Sequence, residues 1–183
     1  MKVLESALWI LAALALPRIA ALDSSTAELC RVNSNACSVP FKWIPCQQHF
    51  LPACDRHDTC YHCGGHFNFK QGDCDDAFFR DMEALCAQGT DEGFCPDKRK
   101  RRDASSTAIT TRQLRLLEKF MPPNFFSDRD PRQPHPRAFT CNQWVSVYFR
   151  TVQVFGWWHF NYRASAKECP PFEPCMPEVG STE

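Results

Sequence analysis

The chain lacks a hydrophobic run long enough to span a membrane. A membrane-spanning helix needs about 20 apolar residues. The apolar core at Leu8 to Leu16 has only nine, and no long run follows residue 21. Lys2 precedes this core, and the small residues Ala20 and Ala21 follow it, which is the pattern of a secretory signal peptide. We therefore expect residues 1–21 to be a signal peptide and the mature protein to be soluble and secreted.

The chain also lacks the G-x-S-x-G motif, and it is poor in glycine, with seven residues in total and none before Gly64. The missing motif would place a serine nucleophile on a strand-to-helix turn. Without this motif, the sequence gives no support for a serine hydrolase. The missing glycines mean that the N-terminal part has no glycine-rich loop.

The chain has no net charge, but this balance conceals a basic segment. Residues 22–97 carry 12 acidic and 5 basic residues, residues 98–137 carry 4 and 11, and residues 138–183 carry 4 and 3. A basic stretch can bind nucleic acid or anionic lipid. Because the five-residue run Lys98 to Arg102 lies in a secretory protein, proteolytic processing is the simpler interpretation, and we expect no nucleic-acid partner.

The segment 98–137 has the composition of a linker. It contains no cysteine, is rich in Ser and Thr at 104–111, and is rich in Pro at 122–136. A short helix is possible here, but it would not be stable alone; its apolar residues are Leu114, Leu116, Leu117 and Phe120. We expect 98–137 to be an excised propeptide. The alternative is a surface loop that stays in place.

Twelve cysteines in a secreted chain of this size indicate a disulfide framework. The alternative is a zinc site at Cys60-Tyr61-His62-Cys63, which has ligand-like spacing. Nine cysteines precede the basic run and three follow it. Both counts are odd, so if all cysteines pair, an odd number of bridges joins the two parts. Excision would then leave a covalent heterodimer of an alpha chain, 22–97, and a beta chain, 138–183, whose start lies between Asp130 and Ala138.

Two helices are predicted to carry the candidate site. The first runs from Pro52 to Cys63 and ends at Gly64-Gly65, because glycine accepts a left-handed cap. On it, Cys54, His57 and Tyr61 share one face, and Asp58 points about a quarter-turn away. The residues before it, 22–50, are expected to be irregular.

The second helix is predicted over Cys74 to Ala87, with Asp73 as its N-cap. Asp75 belongs to an apolar stripe that includes Phe78 and Met82, whereas Asp76 faces water. A carboxylate in apolar surroundings needs a partner, and His57 is the best one available.

The run Phe50-Leu51-Pro52-Ala53-Cys54-Asp55-Arg56-His57-Asp58 resembles the active-site helix of secreted phospholipases A2, especially the shorter bacterial and fungal enzymes. The whole chain resembles the conodipines, two-chain venom phospholipases A2 of cone snails. The resemblance implies a mainly α, small disulfide-rich domain with an antiparallel active-site helix pair and a third helix from the beta chain.

The resemblance also implies roles for the candidate site residues. His57 is the base that activates water for attack on the sn-2 ester, and Asp75 is its acid partner, with Asp81 in reserve. A Cys60–Cys74 bridge would hold the base beside that acid. Asp58 binds Ca²⁺, with further ligands from carbonyls of Phe41 to Cys46 or from water.

The beta chain leaves two features open. Residues 141–156 alternate like a strand at Val145, Val147 and Phe149, but a longer helical stripe favours a helix capped by Gly156. The aromatic run 156–162 suits either a phospholipid membrane surface, the expected substrate, or packing against the alpha chain.

The expected function is a secreted calcium-dependent phospholipase A2, acting as a venom toxin. The alternative is a non-catalytic toxin on the same scaffold that binds a channel or receptor. Loss of His57, Asp58 or Asp75 would mark that alternative, and all three residues are present.

Overall fold

A computed structural model describes residues 24–37, 45–89, 95, 111–121 and 139–178. The predicted signal peptide and the basic run 98–102 lie outside these residues. The described part is mainly helical and contains no strand, which confirms the predicted fold class. Its α-helices are α1 (Ser24–Arg31), α2 (Gln47–Cys63), α3 (Gln71–Gly89), α4 (Thr111–Phe120) and α5 (Cys141–Phe155), with 3-10 helices at Gly64–Phe67 and Pro170–Cys175. None of the described helices is long and apolar enough to cross a membrane.

The expectation that 22–50 is irregular is wrong for α1. Its residues contain no proline; the prolines that suggested irregularity, Pro40 and Pro45, come later in the chain. The helix is held against α2, because the hydroxyl of Thr59 donates a 2.6 Å hydrogen bond to the carbonyl of Cys30. The disulfide Cys30–Cys175 fixes the same end to the C-terminal segment.

Helix α2 begins at Gln47 and not at Pro52, which lies inside it. A proline removes one helical hydrogen bond, so tertiary contacts must hold the first turn. Phe50 is fully buried and packs edge-on against Tyr148, with ring centroids 5.2 Å apart. The disulfide Cys46–Cys95 anchors the residue before the helix.

The predicted glycine cap of α2 is also wrong. Gly64 has right-handed backbone angles, and the chain continues as a 3-10 helix to Phe67. The left-handed residue is Asn68, with φ of 64°. Asparagine tolerates this conformation better than most side chains.

Helix α3 starts at Gln71, three residues before the predicted start. Asp73 is therefore not the N-cap: it lies in the first turn, where its Oδ2 accepts a 2.7 Å hydrogen bond from the amide of Lys70. This bond is one half of a capping box. The predicted facing is confirmed, because Asp75 is buried and Asp76 is exposed.

Helices α2 and α3 run antiparallel. Cys60 is bonded to Cys74, His57 contacts Asp75, and Arg56 contacts Asp81. In these three contacts the residue numbers on α2 fall as those on α3 rise, so the predicted antiparallel pair is confirmed.

The disputed beta-chain segment is helix α5 and not a strand. It begins with a capping box, in which the Thr140 side chain bonds the Gln143 backbone and the Gln143 side chain bonds the Thr140 backbone. Tyr148 is fully buried, and its hydroxyl donates a 3.1 Å hydrogen bond to the carbonyl of Pro45. Helix α5 therefore completes the core formed by α2 and α3.

All twelve cysteines are paired. The bridges are Cys30–Cys175, Cys37–Cys54, Cys46–Cys95, Cys60–Cys74, Cys63–Cys169 and Cys86–Cys141. Three of them join residues before the basic run to residues after it, so the predicted odd number is confirmed. The zinc interpretation is wrong, because both cysteines of the C-x-x-C sequence are in disulfides.

Candidate active site

His57 and Asp75 meet at the centre of the α2–α3 pair. Nε2 of His57 lies 3.0 Å from Oδ1 of Asp75, and both side chains are buried. An ionised carboxylate only accepts hydrogen bonds, so Nε2 carries the proton and Nδ1 is left as the basic nitrogen. Among the described residues, Nδ1 makes no hydrogen bond. The imidazole is therefore oriented for accepting a proton at Nδ1.

Two aromatic rings hold the imidazole of His57 in place. The ring of Tyr61 lies one turn along α2, with centroids 4.2 Å apart, and the ring of Phe78 lies on α3, with centroids 4.5 Å apart. Both rings are tilted relative to the imidazole. Because their side chains are buried, they restrict the imidazole to the orientation that faces Asp75.

Asp75 is held by two further donors. The hydroxyl of Tyr61 donates a 2.6 Å hydrogen bond to Oδ1, and Nε2 of Gln71 donates a 3.3 Å bond to Oδ2. Burial raises the pKa of the Tyr61 hydroxyl, and the hydrogen bond to Asp75 raises it further. Tyr61 therefore remains a protonated donor. Sequence analysis missed Gln71; its position four residues before Asp75 on α3 was the available signal.

The predicted bridge between Cys60 and Cys74 is present, with Cα atoms 5.8 Å apart. Cys60 lies three residues beyond His57, and Cys74 directly precedes Asp75. The bridge joins the end of α2 to the start of α3 and holds the two side chains together.

Asp81, the reserve acid, has a different partner. Nη1 of Arg56 lies 3.1 Å and 3.2 Å from the two carboxylate oxygens of Asp81. The same guanidinium donates hydrogen bonds of 3.2 Å and 2.7 Å to the carbonyls of Cys175 and Met176. Arg56 and Asp81 therefore clamp the C-terminal segment onto the helix pair.

Asp58, the predicted calcium ligand, is contacted by the loop after α1. Its Oδ2 accepts a 3.1 Å hydrogen bond from the hydroxyl of Ser34 and a 3.0 Å bond from the amide of Asn35. Burial raises the pKa of the Asp58 carboxyl, and the Asn35 amide, His57 and Ser34 partly oppose this effect. No local pattern predicted Ser34 or Asn35, since more than 20 residues separate them from Asp58.

The surroundings of Asp58 fit a hard cation. Carboxylate, hydroxyl and backbone carbonyl oxygens are the ligands that Ca²⁺ takes, and Asp58 and Ser34 supply the first two. Of the suggested carbonyl ligands 41–46, residues 41–44 lie outside the described residues. The one cluster of three potential metal-ligating residues among the described residues is His49, Cys86 and Cys141. It offers no thiolate, because its two cysteines are bonded to each other.

The aromatic run after α5 divides into a packed part and an exposed part. Phe160 is buried against Tyr61, with ring centroids 5.6 Å apart, and the Asn161 amide donates a 2.9 Å hydrogen bond to the Tyr61 carbonyl. In contrast, Trp157, Trp158 and Tyr162 are 61%, 56% and 69% exposed. The segment therefore packs against the alpha chain and also displays aromatic side chains to solvent.

Gly156 links this run to the site. It ends α5 with right-handed angles, and its amide donates to the carbonyl of Val152. A Cβ at this position would overlap the hydroxyl of Tyr61. Glycine is therefore required by the close approach of the Tyr61 hydroxyl and the Val152 carbonyl, and not by a left-handed cap.

Comparison with known proteins gives relatives along nearly the whole chain. No family model matches it, and no solved structure is significantly similar. The chain is 81% identical over 73 residues to the Conodipine-M alpha chain of Conus magus, covering 39% of this chain and 95% of that one. It is 60% identical over 40 residues to the Conodipine-M beta chain, covering 22% and 95%.

A third relative, Conodipine-P1 of Conus purpurascens, is 37% identical over 181 residues, which cover 97% of this chain and 99% of that protein. At this identity and coverage the relationship spans both helical parts and the segment between them. The chain therefore belongs to the conodipine family.

Proposed function

We propose that this protein is a secreted, calcium-dependent phospholipase A2 that hydrolyses the sn-2 ester of glycerophospholipids and acts as a venom toxin. The observation that carries the proposal is the buried His57–Asp75 pair, with a separate carboxylate, Asp58, next to His57 in sequence. One helix thus presents a base and a candidate cation ligand in different directions. The sequence resemblance of 50–58 to secreted phospholipases A2 supports the same reaction.

In the proposed reaction, Nδ1 of His57 takes a proton from a water molecule, and the resulting hydroxide attacks the ester carbonyl. Asp75 holds Nε2–H and stabilises the imidazolium that forms. The hydrogen bonds from Tyr61 and Gln71 keep the Asp75 carboxylate in place. The imidazolium then returns the proton to the leaving alcohol.

Asp58 would hold the cation, together with oxygens of the Ser34 loop. When bound there, Ca²⁺ supplies electrostatic stabilisation to the oxyanion of the transition state. The Ser34 hydroxyl and the Asn35 amide that contact Asp58 are neutral donors.

The exposed aromatic side chains support a membrane surface as the substrate. Tryptophan and tyrosine suit the interface of a bilayer, because each joins an apolar ring to a polar group. Trp157 and Trp158 belong to the segment that also packs on Tyr61. A bilayer held by them would be close to the His57 site.

Six disulfides and the composition of 98–137 support secretion and processing into two chains. Disulfides persist in oxidising compartments, and every cysteine here is bonded. That relatives carry the names alpha chain and beta chain also supports excision of the linker. The three bridges between 22–97 and 138–183 would then hold the heterodimer together.

The test is release of fatty acid from sn-2-labelled phosphatidylcholine vesicles by the processed protein, first with calcium and then with EGTA. We expect hydrolysis that stops in EGTA and that His57→Gln reduces by roughly 10²–10⁴-fold, the contribution of a positioned general base. The variant should keep its helical circular dichroism. Folded wild-type protein without activity in either condition would overturn the proposal and favour a non-catalytic toxin.

A further inference from the structure

A histidine outside the candidate active site lies beside a disulfide that joins two helices. One ring nitrogen of His49, on α2, lies within 4.8 Å of Sγ of Cys86, on α3, and of Sγ of Cys141, on α5. The two cysteines are bonded to each other. Nε2 of His49 is buried and has no hydrogen-bond partner among the described residues. A buried polar atom without a partner requires an explanation, and the neighbouring sulfurs offer one.

A second disulfide touches the first. Sγ of Cys95, which is bonded to Cys46, lies 3.3 Å from Sγ of Cys141. Cys141 therefore has two sulfur neighbours, its bonded partner Cys86 and its contact Cys95. They are 55 and 46 residues away in sequence. Loop-closure entropy depends only logarithmically on loop length, so it favours neither partner, and a local effect must select between them.

The imidazole of His49 supplies a local preference for Cys86. Burial lowers the pKa of His49, and the Leu85 backbone partly opposes this effect. Among the described residues no charged side chain contributes to the shift, and the groups that lie within 4.8 Å of the ring nitrogen are Cys86 on α3 and Cys141 on α5. A neutral imidazole has one basic nitrogen. Next to a thiol, this base forms the thiolate, which is the species that attacks a disulfide.

We propose that His49, Cys86, Cys95 and Cys141 form an intramolecular thiol–disulfide exchange site that selects the bridge between α3 and α5. The site acts while the disulfides form, when a small-molecule thiol is bonded to Cys46 and Cys95 is free. The Cys95 thiolate attacks Sγ of Cys141. The Cys95–Cys141 bond forms, and Cys86 leaves with the electron pair of its former bond.

The return step gives the native bridge. The Cys86 thiol transfers its proton to His49, its thiolate attacks Sγ of Cys141, and the Cys95–Cys141 bond breaks. Cys95 leaves as a thiolate and displaces the small-molecule thiol from Cys46. The displaced thiolate accepts the proton that His49 gives up, so these exchanges involve no net oxidation or reduction.

Burial confines this exchange to sulfurs of the chain itself. Cys86 and Cys141 are 5% and 1% exposed, whereas Cys46 and Cys95 are partly exposed. An external thiol therefore reaches the Cys46–Cys95 bridge, and Cys141 is reached through Cys95. Both competing partners precede the basic run, so Cys141 stays covalently joined to the N-terminal part of the chain in either state.

The first test follows oxidative refolding of the full chain in reduced and oxidised glutathione. Samples are quenched in acid and trapped with N-ethylmaleimide. An Asp/Glu-specific protease then separates Cys86 from Cys95, because Asp91 and Glu92 lie between them and no Lys or Arg does. We expect mass spectrometry to show a Cys95–Cys141 form that converts into the Cys86–Cys141 form. If Cys141 pairs with Cys95 no more often than with other non-native cysteines, the proposal is wrong.

A variant tests the exchange in the folded protein. Cys46→Ser leaves one thiol, which lies on Cys95 if no exchange occurs. After equilibration at neutral pH, unfolding in acid and trapping, we expect the label mostly on Cys95 with a detectable share on Cys86. Cys37→Ser is the matched control: its thiol should stay on Cys54, whose bridge contacts no second bridge among the described sulfurs. Label on Cys95 alone in Cys46→Ser would overturn the proposal.

His49→Gln tests the role of the imidazole through the pH profile. At pH 7 only a few per cent of an ordinary thiol is ionised, so we expect conversion of the Cys95–Cys141 form to slow by roughly tenfold. At pH 9 thiols ionise without a base, and the variant and the wild type should convert at similar rates. Equal rates at pH 7, or the same slowing at both pH values, would contradict a role for His49 as the base.

Discussion

Arg56 and Asp81 form a two-point ion pair, with Nη1 of Arg56 at 3.1 Å and 3.2 Å from the carboxylate oxygens. This pair lies on the same two helices as His57 and Asp75. The two carboxylates of this helix pair, Asp75 and Asp81, therefore have different partners. Asp81 neutralises an arginine that binds the C-terminal carbonyls. Asp75 faces the imidazole.

A matched pair of variants should distinguish the roles of Asp75 and Asp81. Asp75→Asn removes the charge that stabilises the imidazolium, and we expect hydrolysis to fall by roughly 10²-fold or more. Asp81→Asn should leave turnover nearly unchanged and instead lower the free energy of unfolding by about 1–3 kcal/mol, because Arg56 loses its charged partner. Vesicle hydrolysis and urea unfolding measure the two effects. The reverse pattern would make Asp81 the dyad acid.

A substitution at Gly156 should disturb Tyr61, whose hydroxyl donates a hydrogen bond to Asp75. In Gly156→Ala the new Cβ overlaps the Tyr61 hydroxyl, so we expect a loss of about 1–3 kcal/mol in unfolding free energy together with reduced activity. Gly72→Ala is the matched control: nothing lies within 4 Å of its Cβ, and alanine favours a helix. Tyr61→Phe should cost less unfolding free energy in the Gly156→Ala background than in the wild type, because it removes one of the overlaps there; equal costs in the two backgrounds would contradict the overlap with Tyr61.

Asp58 should make calcium binding depend on pH. Burial raises the pKa of this carboxyl, so it gains a proton at a higher pH than an exposed aspartate does, and only the ionised form binds a cation. We therefore expect calcium affinity, measured by titration calorimetry, to weaken as the pH falls towards this raised pKa. Asp58→Asn should abolish both the binding and its pH dependence. Unchanged calcium binding by the variant would place the ion elsewhere.

Trp157 and Trp158 should contribute to membrane binding and not to the hydrolysis step. Replacing either with serine removes an exposed ring, and we expect roughly tenfold weaker binding to phosphatidylcholine vesicles, in line with the burial free energy of a large apolar side chain. Hydrolysis of a monomeric short-chain phospholipid should stay unchanged. Equal losses on both substrates would indicate a packing defect near Tyr61 instead.

The three bridges between the two parts predict the behaviour of the processed protein on gels. Without reductant, one band should contain both chains, and with reductant two smaller bands should separate. Replacing one bridge, Cys30–Cys175, with a pair of serines should leave the chains linked, because Cys63–Cys169 and Cys86–Cys141 remain. A single band of equal size in both lanes would show that the linker is not cut.

Local patterns predicted much of the helix pair. The spacing of Asp75, Phe78 and Met82 indicated which side of α3 is buried, since a helix repeats every 3.6 residues. The odd numbers of cysteines on each side of the linker required a covalent connection, whatever the pairing. Helix ends were predicted less well: Pro52 suggested a start for α2 that packing of Phe50 overrides, whereas the predicted end at Cys63 is confirmed and only the left-handed cap at Gly64 is wrong.

The sequence by itself determined which residues are candidates for the chemistry and which face of α3 is apolar, because these depend on residue type and periodicity over a few turns. Only the tertiary structure decided between Asp75 and Asp81 as the partner of His57, that Ser34 and Asn35 contact Asp58, and that Leu117 and Met121 are buried. Each of these contacts joins residues far apart in the chain, through disulfides and packing that no local pattern encodes. The physical reason is that burial selects among several chemically equivalent partners, and burial is a property of the whole fold.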